Sequence, residues 1–159
     1  MNAVSKNKQS GFTIIEVVLV LAIAGLIFLM VFVALPTLQR NQRDTQRKQD
    51  MSRITTAVAS YTQNNKGALP DDQAKWTNFM EKYLKVDGDA FADPTFGSYS
   101  LSYKALSDTA TPSTPVSETG IINVYPQRKC NGESLETGQK RNVAFAMKLE
   151  GGGVACQSY

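Results

Sequence analysis

Few residues in this chain have a type and spacing suited to chemistry, and the first is Glu16. It is the only charged residue between Phe12 and Leu35 in GFTIIEVVLVLAIAGLIFLMVFVAL. A carboxylate inside an apolar segment costs about 2.5–3.5 kcal/mol on insertion scales, so it calls for a partner. A cut between Gly11 and Phe12 would create one, because the new ammonium on Phe12 lies one helical turn from Glu16, as i and i+4 neighbours. The same ammonium could reach Glu16 of a second, axially shifted copy. The second candidates are Cys130 and Cys156, an even pair whose bridge would close a loop of about 27 residues and contribute about 3–4 kcal/mol. An unpaired buried thiol is the weaker reading for each. A third, Asp87-Gly88-Asp89 with Asp93 beyond, hints at calcium but lacks the ligand ladder and closing glutamate of a calcium loop, so a polar turn is preferred. The chain has no histidine. No nucleophile, base and orienting group can be assembled, and catalytic, cofactor and metal sites are all expected to be absent.

The element that must position Glu16 is a helix. At about 1.5 Å per residue, Phe12 to Leu35 reaches about 36 Å, enough to cross a hydrocarbon core of about 30 Å. A secretory signal fits poorly, because its apolar region is shorter and ends at a small-residue cleavage site. An uncleaved anchor fits the length but leaves Glu16 unexplained. Past Leu35 the helix is expected to continue, kinked by Pro36, since no glycine or further proline occurs before Gly67. Met51, Ile54, Val58 and Tyr61 recur at three- and four-residue spacing and give this second half an apolar face. Arg40 to Asp50 reads as the solvated face of the same helix rather than as a subunit or lipid contact. Asn64-Asn65-Lys66-Gly67 supplies the stop.

Leu69-Pro70-Asp71-Asp72 opens a second helix, whose stripe of Trp76, Phe79, Met80, Tyr83 and Leu84 is read as core and not as an aromatic binding surface. Tyr99, Leu101 and Tyr103 then alternate with serines as in a half-buried strand. Ser107 to Gly120, rich in Ser, Thr and Pro, reads as a solvated loop, and no N-x-[ST] acceptor occurs in the chain. Ile121–Tyr125, Asn142–Glu150 and Val154–Tyr159 complete about four strands, the last two joined through Gly151-Gly152-Gly153. The fold class is α+β: one long helix packed against a small, mostly antiparallel sheet. The divisions are 1–11, 12–35, 36–66 and 67–159: leader, membrane helix, amphipathic half and globular head.

Lys8-Gln9-Ser10-Gly11-Phe12-Thr13-Ile14-Ile15-Glu16 resembles the class III signal of type IV pilins and pseudopilins: a short basic leader, glycine, phenylalanine, then glutamate four residues on. The resemblance implies cleavage after Gly11 by a prepilin peptidase, N-methylation of Phe12, and assembly contacts through Phe12, Thr13 and Glu16. Gly25 also matches a glycine the family often carries, whereas Pro36 falls about one turn later than the helix proline of the commonest pilins. The resemblance further implies that the Cys130–Cys156 disulfide bounds an exposed loop.

Composition limits the partners. Lys plus Arg is 17 against 14 acids, a net charge of +3; removing Lys6 and Lys8 with the leader leaves 15 against 14, or +1. No basic surplus argues for nucleic acid, which is left open as a ligand. A positive-inside count over Lys6, Lys8, Arg40, Arg43, Arg47 and Lys48 would put the C-terminal side in the cytoplasm. The cysteines, which bridge only in an oxidising compartment, and the leader resemblance reverse that orientation. The expected function is a type IV pilin that polymerises with itself into a cell-surface filament for adhesion, twitching motility or DNA uptake, with minor pilins, a platform protein and an assembly ATPase as partners. The alternatives are a pseudopilin of a secretion or competence system and a membrane-tethered extracytoplasmic binding domain that never polymerises.

Overall fold

The computed structural model describes residues 11–85, 91–104 and 120–159. The leader before Gly11, the Asp87-Gly88-Asp89 turn and the Ser107 to Thr119 stretch lie outside the described residues. The chain divides into two compact units, Met1–Leu38 and Gln39–Tyr159. One helix, α1 (Ile14–Asn64), contributes to both and stays helical through Pro36.

Within Gln39–Tyr159, α1 ends at the expected stop. Lys66 and Gly67 take positive φ of 55° and 82°, and the Gly67 N–H reaches back to the Thr62 carbonyl at 2.7 Å. This left-handed turn satisfies a carbonyl that the helix end would leave open. Asp72 caps the next helix, α2 (Gln73–Phe79), by accepting from the Lys75 N–H at 2.7 Å, and α2 runs into a π-helical turn, Met80–Leu84. Trp76, Phe79, Met80 and Leu84 are buried, as the stripe requires. Phe79 meets Tyr61 of α1 edge-on at 5.7 Å, and Trp76 meets Phe145 edge-on at 5.6 Å.

The strands are β1 (Ala92–Asp93), β2 (Gly97–Ser98), β3 (Ser100–Tyr103), β4 (Ile121–Pro126), β5 (Arg128–Asn131), β6 (Ser134–Thr137), β7 (Val143–Lys148) and β8 (Val154–Ser158). The main sheet runs β3-β4-β7-β8, while β1–β2 and β5–β6 form separate ribbons. Ile122, Val124, Phe145 and Met147 share a core with Met51, Ile54 and Val58 of α1. Tyr125, Ala144 and Ala146 face the other way and are covered by Cys130, Leu135 and Val154.

The main sheet is mostly antiparallel as expected, through β4–β7 and β7–β8, and mixed at one edge, where β3 pairs parallel with β4. Parallel neighbours need a long connection, and the Ser/Thr/Pro-rich stretch between Tyr103 and Ile121 supplies it. The β5–β6 ribbon was not expected; its alternation is short and polar, and its Cys130 and Leu135 acquire a buried role only against the second face of the sheet.

The reading of Arg40 to Asp50 as a solvated face is corrected. Arg47 is 0% exposed, and Asp44 and Asp50 are buried. The Arg47 guanidinium donates to Asp93 from Nε at 2.7 Å and Nη2 at 2.8 Å, to Asp44 at 2.9 Å and to Glu150 at 2.7 Å. Arg43 adds a forked contact to Glu150, and the backbone N–H groups of Glu150 and Gly151 donate to Asp44. A buried charge is tolerated when its hydrogen bonds are filled in this way. The signal was present in sequence: Arg43, Asp44, Arg47 and Asp50 sit on the same three- and four-residue spacing as Met51, Ile54 and Val58. Hydrogen bonds from Arg43 hold the Glu150 carboxyl down to about 2, helped by those from Arg47 and Thr95 against the opposing effect of burial. For Asp93, burial works to raise the carboxyl, but Arg47 and the Thr95 and Phe96 N–H groups outweigh it and leave it below the ordinary range.

Candidate functional site

In the unit Met1–Leu38, the described residues begin at Gly11, and Thr13 stands just before the first residue of α1, Ile14. The Thr13 N–H donates to Glu16 Oε2 at 3.1 Å, its hydroxyl donates to the same oxygen at 3.0 Å, and the Glu16 N–H returns to Thr13 Oγ1 at 3.4 Å. This is a reciprocal capping box, in which two donors of the first turn that would otherwise be open find acceptors. An acid in the first turn also complements the positive end of the helix dipole. Thr13 and Glu16 are thus brought together. Phe12 stands 87% exposed beside them.

The surroundings of that carboxylate are apolar and uncovered. From Gly11 to Leu38 no side chain is buried, and the helix is long and apolar enough to cross a membrane. Soluble monomers rarely expose a continuous apolar surface of this extent, which marks contact with lipid or protein. A Cβ built at Gly25 meets no atom within 4 Å. A helical glycine costs about 1 kcal/mol relative to alanine, and no close approach among the described residues accounts for it.

The other sequence-predicted pair is joined. Cys130 of β5 and Cys156 of β8 form a disulfide with Cα atoms 5.7 Å apart, tying the small ribbon to the edge strand of the main sheet. The segment it encloses is more than the exposed loop expected, since it contains β7, which lies between β4 and β8 and is buried from Val143 to Met147. Asp93, the described member of the weak calcium pattern, is committed to Arg47. Among the described residues no group of three or more His, Cys, Asp or Glu is placed to hold a metal ion.

Residues 6–32 match the family described as the prokaryotic N-terminal methylation motif. No curated protein and no solved structure matches the chain.

Proposed function

We propose that this chain, whose methylation motif supports the type IV pilin-like and pseudopilin class, is a type IV pilin: a non-catalytic subunit that is inserted in the membrane, cut after Gly11, methylated on Phe12 and built into a cell-surface filament. The observation that carries the reading is Glu16, held in a capping box at the start of α1, whose membrane-length apolar stretch up to Leu38 has no buried side chain. In a bundle of such helices the apolar surface would bury against neighbouring copies, and the Phe12 ammonium would reach a Glu16 carboxylate in a medium where an ion pair is strong. Gly25 supports the same reading, because small residues let helix backbones approach closely in an apolar medium. A prepilin peptidase, a platform protein, an assembly ATPase and minor pilins are the partners this requires.

A pseudopilin of a secretion or competence system shares the same N-terminal residues. The Cys130–Cys156 bridge favours the pilin, since the resemblance associates the major secretion pseudopilins with calcium in that role. Mass spectrometry of filaments sheared from cells separates the readings. A chain beginning at methylated Phe12 as the abundant filament component is expected. A processed chain confined to the membrane fraction would instead indicate a pseudopilin or a rare minor subunit, and an intact Met1 would indicate a plain anchor.

A further inference from the structure

The main sheet ends on β3, whose only strand neighbour among the described residues is β4. The Ser100 and Lys104 N–H groups turn inward, to the Gly120 and Val124 carbonyls at 3.3 and 2.9 Å. Backbone groups alternate along a strand, so those of Leu101 and Tyr103 point to the outer edge. Such an edge is a template for pairing with another chain, and natural edges carry lysine, proline or a bulge against it. Ser100-Leu101-Ser102-Tyr103 has no charge and no proline.

One side chain occupies the edge instead. The Asp72 cap starts α2 at Gln73. Gln73 Nε2 donates to the Leu101 carbonyl at 2.7 Å, and Gln73 Oε1 accepts from the Tyr103 N–H at 2.7 Å. These are the two bonds a neighbouring strand would make. A carboxamide supplies both a donor and an acceptor, whereas the acids that suit the first turn of a helix only accept. Gln73 is itself exposed, so truncating it bares an edge rather than opening a cavity. We propose that Gln73 is an edge guard: its carboxamide stands in for a strand on β3 and keeps β3 from pairing with β3 of a second copy of this chain. The identical strand is the fitting partner, because two antiparallel copies present self-complementary groups across a twofold axis. Chains anchored in one membrane meet at high effective concentration, where a bare edge would join their heads. The inference does not depend on whether the chain forms a filament.

The full chain in zwitterionic detergent, as wild type, Gln73→Ala and Gln73→Glu, would be followed by hydrogen exchange at the Tyr103 amide over about a hundredfold range of concentration. Reading this one amide separates pairing at β3 from any association through the apolar helix. In wild type it should exchange slowly at every concentration. Alanine is a good helix former and keeps α2, so Gln73→Ala should keep the wild-type thermal midpoint to within the loss of two exposed hydrogen bonds. Its Tyr103 amide should exchange about fivefold faster in dilute solution and regain protection as concentration rises. Gln73→Glu still accepts from the Tyr103 N–H and sets a charge on the edge, so its amide should stay slow at all concentrations. The proposal is overturned by unchanged exchange in dilute Gln73→Ala, by faster exchange that does not respond to concentration, or by concentration-dependent protection in Gln73→Glu equal to that in Gln73→Ala.

Discussion

Two stretches of α1, residues 13–35 and 43–61, place charge in an otherwise apolar helical setting and satisfy it in opposite ways. Among the described residues Glu16 is met by Thr13, three residues away, and no side chain around it is buried. Arg47 is met by Asp44, Asp93 and Glu150, two of them far along the chain, and is fully enclosed. The second stretch is satisfied within one molecule, whereas the first leaves its apolar surface uncovered, which on the proposed function neighbouring copies would cover. Substitutions at Glu16 should therefore change assembly without changing head stability, and those at Arg47 should do the reverse.

The largest effect is expected for Glu16→Leu. Filaments recovered by shearing should fall at least about tenfold, while the thermal midpoint of the head stays at the wild-type value. A head destabilised by this change would erase the contrast. Arg47→Ala comes next: removing one member of a buried charge network leaves the carboxylates uncompensated and costs about 3–5 kcal/mol. Urea unfolding followed by the single tryptophan measures it, and a loss below about 1 kcal/mol, the range of exposed pairs, would make Arg47 equivalent to a surface residue.

Replacing Cys130 and Cys156 together by serine should cost about 3–4 kcal/mol through restored freedom of the unfolded chain. The loss should appear in the same urea experiment, and reducing agent should have no further effect on the double variant. A smaller effect is expected with pH. Glu150 titrates at about 2 in the folded protein against an ordinary 4.5, so its contribution is complete above about pH 4.5 and is lost as pH falls toward 2; the depressed Asp93 acts with the same sign. The thermal midpoint of wild type should fall through that window more steeply than that of Glu150→Gln.

The long helix, its stop at Asn64–Gly67, the Asp72 cap and the Trp76–Leu84 core stripe were legible because each is set by residues close in sequence. Glu16 was legible because an acid in an apolar run is anomalous by itself. Arg47 shared the spacing of the buried face but was passed over, since Arg, Lys and Asp on a helix ordinarily mean solvent, and its partners, Asp93 of β1 and Glu150 after β7, lie far along the chain where no local pattern links them to it. The parallel pairing of β3 with β4 was hidden for the same reason: alternation reports which face a residue takes, not the direction of its neighbour. The β5–β6 ribbon has too little apolar alternation to register before the sheet it covers is known.

The finest test of the contrast addresses the local half itself. Thr13→Val removes the hydroxyl that both donates to Glu16 Oε2 and accepts from the Glu16 N–H, and leaves only the backbone contact of the capping box. An N-cap lost in this way costs about 1 kcal/mol, which should appear as an increase of about fivefold in hydrogen exchange at the Glu16 amide. Because the box is confined to one turn, protection around Arg47 should not change, and Thr13→Ser should restore the Glu16 amide. Unaltered exchange in Thr13→Val would mean that the carboxylate is held by something other than its neighbour three residues back, and the local half of the comparison would fail.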